Sequence, residues 1–495
     1  MQKITTREEM RLFDQRTISE KGISAISLME NAAKAALNIL KASFDTTKVL
    51  FLCGSGNNGG DGFAMARFFA NESGQCEICY LGKMKDGKPD TDAMSPACAT
   101  EYTLLPNHIK VSDTPSLNGI SAVVDAVFGT GLCRDITGHI ADTLSRVRES
   151  GIPVLAIDIP SGIDANTGAV LGTALPATAT VAIEAEKLGH LLYPGTMLCG
   201  RVEVARIGIE IGETRVQRLE RNDLSLLPQR PARAHKGTFG RVLIIGGSPE
   251  MSGAAHLAAK AAYRAGAGLV EMLVPAENRA VHQILLPEAI VTTYTDDTAA
   301  AQLAKALSRA DAVAIGMGLS CSDTAATLVE SALKDCEKPI LFDADALNLI
   351  AARQELLALL YARQASTVLT PHLAEMSRLV GKSVFAIGAN MLDSAADYAN
   401  ATGATVVLKD ARTVIAGEGN AYLNTFGNSG MATGGSGDTL AGIIAAFLAN
   451  KVSPTLAAAL GVLAHALAGD AAKTIRGEHG LMASDIIDGL CNVLP

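Results

Sequence analysis

The run Asn428-Ser429-Gly430-Met431-Ala432-Thr433-Gly434-Gly435-Ser436-Gly437-Asp438 joins a glycine-rich turn, an acid and the start of a long helix. Gly434, Gly435 and Gly437 remove side chains where backbone must approach a ligand. The apolar stretch from Leu440 to Leu448 reads as the helix that follows, and its free N–H groups face an anion. Asp438, in the first turn, is placed to take a proton from a hydroxyl whose oxygen attacks a phosphate. That is phosphoryl-transfer chemistry. The alternative is a helix entry that merely packs closely on a strand, which a single glycine would favour and this arrangement does not.

A second constellation lies in the first half. Gly54-Ser55-Gly56-Asn57-Asn58-Gly59-Gly60-Asp61-Gly62 follows an apolar strand ending at Cys53, and its first six positions satisfy Gly-x-Gly-x-x-Gly. Alone that pattern is weak evidence for a dinucleotide site, and the acid expected at the end of the next strand is absent. Asp158 ends another apolar strand, where desolvation raises a carboxyl pKa toward the working range of an acid/base catalyst. The alternative for Asp158 is a cap on the turn Pro160-Ser161-Gly162, and Asn, Asp and Gly dominate ordinary turns. Cys76 and Cys79 form a Cys-x-x-Cys on a strand, where residues three apart point to opposite faces, so neither a redox pair nor a zinc site is expected.

The elements that hold these groups alternate short β-branched runs with alanine-rich helical patterns, the signature of α/β architecture with a largely parallel sheet. Strands are expected at Val49–Cys53, Cys76–Leu81, Ala122–Val127, Val154–Ile159, Thr180–Ile183 and Val202–Val204. A second series covers Val242–Ile245, Leu269–Val274, Ala312–Ile315, Ile340–Phe342, Thr367–Leu369 and Val406–Leu408, with a hairpin across Thr413–Asn424. Between them Leu224–Gly237 carries two prolines and several basic residues. The expected division is a first domain at 1–223, a linker at 224–236 and a second domain at 237–495. A chain of 495 residues with 48% hydrophobic and 19% charged residues supplies sizeable cores. A net charge of −9 without a dense Lys/Arg run argues against nucleic acid as a partner. The polar amino terminus and the lack of an apolar span of about eighteen residues free of turn residues argue against a membrane. The nine cysteines are read as reduced thiols of a soluble cytoplasmic protein. Stacking of the second domain's alanine-rich helices suggests a homo-oligomer.

The phosphate turn comes after all the strands and lacks the Gly-Lys-Ser/Thr of P-loop enzymes. The order resembles the ribokinase-like superfamily. In sequence order, His235-Lys236-Gly237, Gly246-Gly247-Ser248, Pro287-Glu288, Gly316-Met317-Gly318-Leu319, Asp343-Ala344-Asp345-Ala346-Leu347-Asn348, Thr370-Pro371-His372, Leu408-Lys409-Asp410-Ala411 and Gly434–Asp438 resemble the ADP/ATP-dependent NAD(P)H-hydrate dehydratase family over Arg230–Pro495. Lys409-Asp410-Ala411 stands where that family shows Lys-Gly-Ala, and Met317 where proline is common. In the first half, Asn57–Gly62, Asp125-Ala126-Val127-Phe128-Gly129-Thr130-Gly131-Leu132 and Asp158-Ile159-Pro160-Ser161-Gly162-Ile163-Asp164 resemble the NAD(P)H-hydrate epimerase domain.

The paired resemblance implies a Rossmann-like three-layer sandwich followed by a ribokinase-like α/β/α domain. It implies repair of hydrated NADH and NADPH, small-molecule substrates that carry a hydroxyl at C6 of the nicotinamide ring in R and S forms. One domain interconverts the forms. The other dehydrates the S form with ADP or ATP as phosphoryl donor, releasing phosphate and, from ADP, AMP. By resemblance Asp438 is the base of the second site, Gly318 and His372 contact the hydrate, and Lys409, Asp410, Ala411, Arg412, Thr413 and Gly437 contact the adenine nucleotide. A phosphate-bridging magnesium is expected from the donor's charge. In the first domain, Asn57, Asn58, Gly59, Gly60 and Asp61, with Gly129, Thr130, Gly131, Leu132, Cys133, Arg134 and Asp135, bind the hydrate. Asp158 is the acid/base, and Asn58, Asp125 and Ser161 hold potassium, a hard cation suited to oxygen ligands. Two alternatives stand beside this reading. One is a ribokinase-like kinase of a vitamin-precursor alcohol with a non-catalytic amino-terminal nucleotide-binding module; the other keeps the repair chemistry and makes the first domain a scaffold.

Overall fold

The computed structural model describes residues 1–495, and the chain divides into two compact units: Lys3–Arg215, and Val216–Pro495 with Met1 and Gln2.

The first unit is built on seven strands: β1 (Val49–Cys53), β2 (Cys76–Tyr80), β3 (Lys110–Ser112), β4 (Ala122–Ala126), β5 (Val154–Ile157), β6 (Ala179–Ile183) and β7 (Arg201–Ala205). All pair in parallel, in the order β7-β6-β5-β4-β1-β2-β3. Parallel sheets need both faces covered, so their strands read as unbroken apolar runs. In β1, Val49, Phe51 and Cys53 enter one core with helices α2 (Ala25–Ser43) and α3 (Asn57–Asn71). Leu50 and Leu52 enter the opposite core with α5 (Gly138–Ser150), giving three layers. Helix α1 (Arg7–Lys21) precedes these, and α4 (Pro96–Thr103) lies between β2 and β3 in sequence. Cys76 packs toward the first core and Cys79 lies in the second, the opposite-face placement expected of a strand. The strand order reverses between β1 and β4, the switch point where open α/β sheets bind ligands.

The second unit contains β8 (Val216–Arg218), β9 (Arg241–Ile245), β10 (Leu269–Pro275), β11 (Ile290–Tyr294), β12 (Ala312–Ile315), β13 (Ile340–Phe342), β14 (Thr367–Leu369), β15 (Thr405–Leu408), β16 (Thr413–Gly417) and β17 (Asn420–Asn424). Their order is β8-β17-β16-β15-β14-β13-β12-β9-β10-β11, with the short strand Gln2–Ile4 beyond β8. The pairing is parallel except across β15-β16-β17, the expected hairpin and its antiparallel neighbour. Helices α6 (Ser252–Arg264), α8 (Ser436–Ala449) and α9 (Pro454–Arg476) fill the core on alanine and leucine. A methyl group on Gly442 of α8 would stand 2.0 Å from the Ala258 carbonyl oxygen of α6, so this pair packs at backbone distance.

One expectation needs correction. Val216–Arg218 is a strand of the second sheet and Leu224 sits in the second core, so the chain crosses between units at 215/216, and 224–236 belongs to the second unit. Composition located the proline-rich segment but gave no sign of a three-residue strand pairing with Ala421–Leu423. Helices α6, α8 and α9 spend most of their alanines on the core of the unit. Pro454–Arg476, interrupted by Gly461 and Gly469, is long and apolar enough to cross a bilayer, but 83% of its apolar window is buried, as in a core helix.

Candidate active sites

In the first unit a cleft of about 750 Å³ opens at the switch point, lined by the loops after β1, β4 and β5 and by α1, α2 and α3. Asn57, Asn58 and Asp61 line it, as do Gly129–Cys133 and Asp158. Gly59 and Gly60 are buried behind it. A methyl group on Gly59 would lie 1.9 Å from the Gly54 carbonyl oxygen, and the Gly60 N–H is spent on the Gly56 carbonyl. Gly60 therefore shapes the loop. Arg134 and Asp135 are exposed outside the lining.

Asp125 is fully buried, accepts from the Ser161 N–H (2.8 Å) and Oγ–H (2.6 Å), and is pushed up to about 6 by burial. Both amide atoms of Asn58 are buried without a partner. An orphaned amide oxygen beside an oxygen-rich pair fits a hard monovalent cation.

Asp158 follows β5 in the left-handed region, φ 67°, a backbone strain tolerated at functional positions. Its Oδ1 accepts from Lys187 Nζ at 2.5 Å and its Oδ2 from the Thr130 N–H at 3.1 Å. Burial pushes this carboxyl up, as the sequence suggested. Against burial, the largest single influence, the Lys187 charge and hydrogen bond, with smaller help from His190 and the Thr130 N–H, hold it below the usual carboxylate range. Lys187 is wholly buried and also donates to the Ile183 carbonyl. His190 completes the group: its Nδ1 accepts the Lys187 N–H at 3.0 Å, so its Nε2 carries the proton toward the Asp158 carbonyl at 2.7 Å. Burial, then the Lys187 charge, lowers His190 to about 4, and the ring is neutral.

In the second unit Gly435 caps α8 with φ 89°, and a methyl group there would meet Leu257 at 2.4 Å. The Ser436 N–H turns back to the Thr433 carbonyl at 3.3 Å, while those of Gly437 and Asp438 keep the free orientation of a helix start. Asp438 is raised to about 6, first by burial and then by the charge of Asp343. Lys409 donates to Asp343 Oδ1 at 2.8 Å, and its Nζ lies 3.4 Å from where a Gly437 methyl would be. His372 caps the helix α7 (Leu373–Val380): its Nδ1 accepts from Ala374 and Glu375 N–H groups, leaving Nε2–H on a half-exposed ring. The helix-start role and availability to a ligand thus coexist. Gly318, φ 60°, holds the loop after β12 against Met251, and Met317 is core. Asp410 and Ala411 are exposed at the β15–β16 turn.

Sequence reasoning missed Lys187, His190, Asp343 as the partner of Lys409, and His465, whose Nε2 is 3.3 Å from Ser436 Oγ. His190 stood in the apolar run Leu188–Leu192 and Lys187 directly before it, and a cation against such a stretch is a usable signal of a buried partner.

The fold and the two sites define a two-domain α/β enzyme whose second unit is ribokinase-like. A ribokinase-like superfamily protein from Enterococcus faecalis V583 matches at TM-score 0.51 and 30% identity, covering 58% of this chain and 97% of its own. Models for NAD(P)H-hydrate dehydratase and for the YjeF-related protein N-terminus match residues 242–492 and 25–189. The bifunctional NAD(P)H-hydrate repair enzyme Nnr of Moorella thermoacetica is 38% identical over 99% of this chain and 96% of its own length. The enzyme of that name from Escherichia coli K12 is 35% identical over 98% and 93%. The chain belongs to the bifunctional NAD(P)H-hydrate repair enzymes, with an epimerase domain followed by a dehydratase domain. The vitamin-alcohol kinase with an inert amino-terminal module is not favoured.

Proposed function

We propose that the second unit performs dehydration through Asp438, the carboxylate that takes the proton from the 6-hydroxyl of the S hydrate as its oxygen attacks the terminal phosphoryl of ADP or ATP. The observation that carries this reading is the coincidence of a base raised to about 6 with free helix N–H groups at Gly437 and Asp438. Those N–H groups and the Lys409 ammonium stabilise charge on the transferring phosphoryl, an electrostatic and positioning task. Loss of phosphate from C6 and of a proton from C5 to solvent then restores the C5–C6 double bond. His372 Nε2–H and the Gly318 loop orient the hydrate, and Lys409–Thr413 with Gly437 receive the nucleotide. No group of three or more His, Cys, Asp or Glu side chains suits a metal, so the chain's own residues do not fit a resident magnesium; magnesium arrives with the nucleotide.

In the first unit Asp158, held ionised by Lys187, acts as a base toward the hydrate during epimerisation, and the loops at Asn57–Asp61 and Gly129–Cys133 seat the substrate. Potassium held by Asn58, Asp125 and Ser161 supplies a fixed positive charge near those loops. Nine free cysteines accord with a cytoplasmic setting. Self-association, if present, uses surfaces other than the buried alanine helices, and sedimentation equilibrium reads it. The functional test is incubation with both epimers of NADH hydrate plus ADP, then ATP, following reduced-nicotinamide absorbance. Complete recovery supports both activities; recovery that stops when one epimer is exhausted removes epimerisation; no recovery removes dehydration.

A further inference from the structure

Two carboxyls on the epimerase cleft, Asp14 and Asp61, carry no proton-transfer role in these assignments. Asp61, in the second turn of α3, lines the same cleft as Asp158 and Lys187. Asp61 and Asp158 differ in their partners. Asp158 receives an ammonium and a backbone N–H, whereas no group of the chain donates to Asp61, and no hydrogen bond is among the forces on it. Asp61 is half-buried on the cleft wall, and a carboxyl there without protein donors has only water to hold its charge. Its charged and titratable surroundings agree. Asp14 of α1, Glu101 and Cys98 of α4, and Asp158 are acidic groups; against them stand Lys187, already paired with Asp158, and Arg7 and Arg11 of α1 on the cleft lining. Burial first, then the Asp158 charge, pushes Asp61 well above the ordinary carboxyl range, against a smaller opposing pull from Lys187. One cleft therefore presents a neutral acid and an ionised carboxylate, the division of roles that acid/base catalysis by two carboxyls requires.

Resting on the reading of this unit as the epimerase, we infer that Asp61 is the proton donor to the departing 6-hydroxyl, with Asp158 accepting the proton of the water that adds to the opposite face of the ring. In the hydrate C6 is bonded to both the hydroxyl and N1. The Asp61 O–H gives its proton to the hydroxyl oxygen, the C6–O bond breaks, the N1 lone pair forms a C6–N1 double bond, and water leaves. A water on the other face then forms a new C6–O bond. The C6–N1 π pair returns to nitrogen, and the proton of that water passes to Asp158. Nothing is oxidised or reduced. Exchange with solvent returns the proton to Asp61, and the same steps reversed convert the other epimer.

The test uses the full-length protein, one purified epimer of NADH hydrate and no adenine nucleotide, with appearance of the other epimer read by chromatography above the uncatalysed rate. For Asp61→Asn the expected result is a fall in kcat of ~100-fold or more, the scale of one general acid, with KM changed less than about threefold. Wild-type kcat falls as pH rises past the point where Asp61 ionises; that limb is absent in Asp61→Asn and returns, displaced, in Asp61→Glu. An unchanged thermal unfolding midpoint shows that the variant is folded. A raised KM with intact kcat, or an Asp61→Asn variant that retains the alkaline limb, overturns the assignment. Absence of interconversion by the wild-type protein instead overturns the epimerase reading itself.

Discussion

The ionisation of Asp438 gives the sharpest test of the dehydratase site. Its carboxyl stands at about 6 against an ordinary value of 3.8. As a base it works only when deprotonated, so activity is lost as pH falls through about 6. At pH 7 about nine-tenths of the sites are competent and at pH 5 just under one-tenth, so kcat rises about tenfold over that interval. Lys409 is the cation that restrains this shift. Replacing it by Met removes a pull of ~1–3 pH units and uncovers the Asp343 charge, which pushes the same way. The acid limb then moves from about 6 to ~7–9, and competent sites at pH 7 fall to between about half and one in a hundred. Asp343→Asn removes the second-largest raising influence and moves the limb down. The assay is initial-rate dehydration of the S epimer at saturating nucleotide between pH 5 and 9, so that weakened nucleotide binding does not enter. An acid limb that stays in place or moves to lower pH in Lys409→Met refutes the assignment of Asp438 as the base.

The same carboxyl is a stability liability. Its folded pKa is raised by about 2, from 3.8 to about 6, so the folded state binds its proton more tightly, and stability is lost as pH rises through that window. At about 1.4 kcal/mol per unit, Asp438→Asn abolishes dehydration while stabilising this unit by up to ~3 kcal/mol at pH 7, measured by denaturant unfolding. Lys187→Met leaves the buried Asp158 unpaired and destabilises the first unit by ~3–5 kcal/mol in thermal or denaturant unfolding, while Lys187→Met with Asp158→Asn recovers much of that loss. Gly437→Ala meets nothing closer than Lys409 Nζ at 3.4 Å; it preserves the melting temperature and raises KM for the nucleotide, whereas Gly442→Ala, facing a carbonyl at 2.0 Å, lowers the melting temperature. Exhaustive exchange of potassium for a large organic cation, or Ser161→Ala, slows epimerisation and spares dehydration of the S epimer, each read in its own assay.

Much of the architecture is visible in the chain because its central strands are apolar on both faces. Val49–Cys53, Ala312–Ile315, Ile340–Phe342 and Thr367–Leu369 have the limits their composition suggests. What escapes is peripheral. Lys110–Ser112, Val216–Arg218 and Ile290–Tyr294 lie at or next to sheet edges and are short or partly exposed, so no apolar run announces them. The glycine-rich loops were legible at both sites because close backbone approach admits few residue types. The electrostatics were legible only in part. Burial of Asp158 could be read from its strand, but the ammonium that reverses the effect comes from a residue 29 positions away, and tertiary pairing leaves no local pattern. Asp438 shows the converse: its burial and its like-charged neighbour Asp343 act in the same direction and raise the carboxyl.

Helix α8 has no unused face. Every residue from Thr439 to Ala449 is buried, and its glycine meets α6 at backbone distance. Few substitutions along it are neutral, so the anion end of the site is closed to gradual drift. The β15–β16 turn is the reverse: Asp410 and Ala411 are exposed and unburdened by packing. With the nucleotide seated as proposed, a library randomised at 410 and 411 samples altered nucleotide preference with far fewer misfolded members than one randomised along the helix.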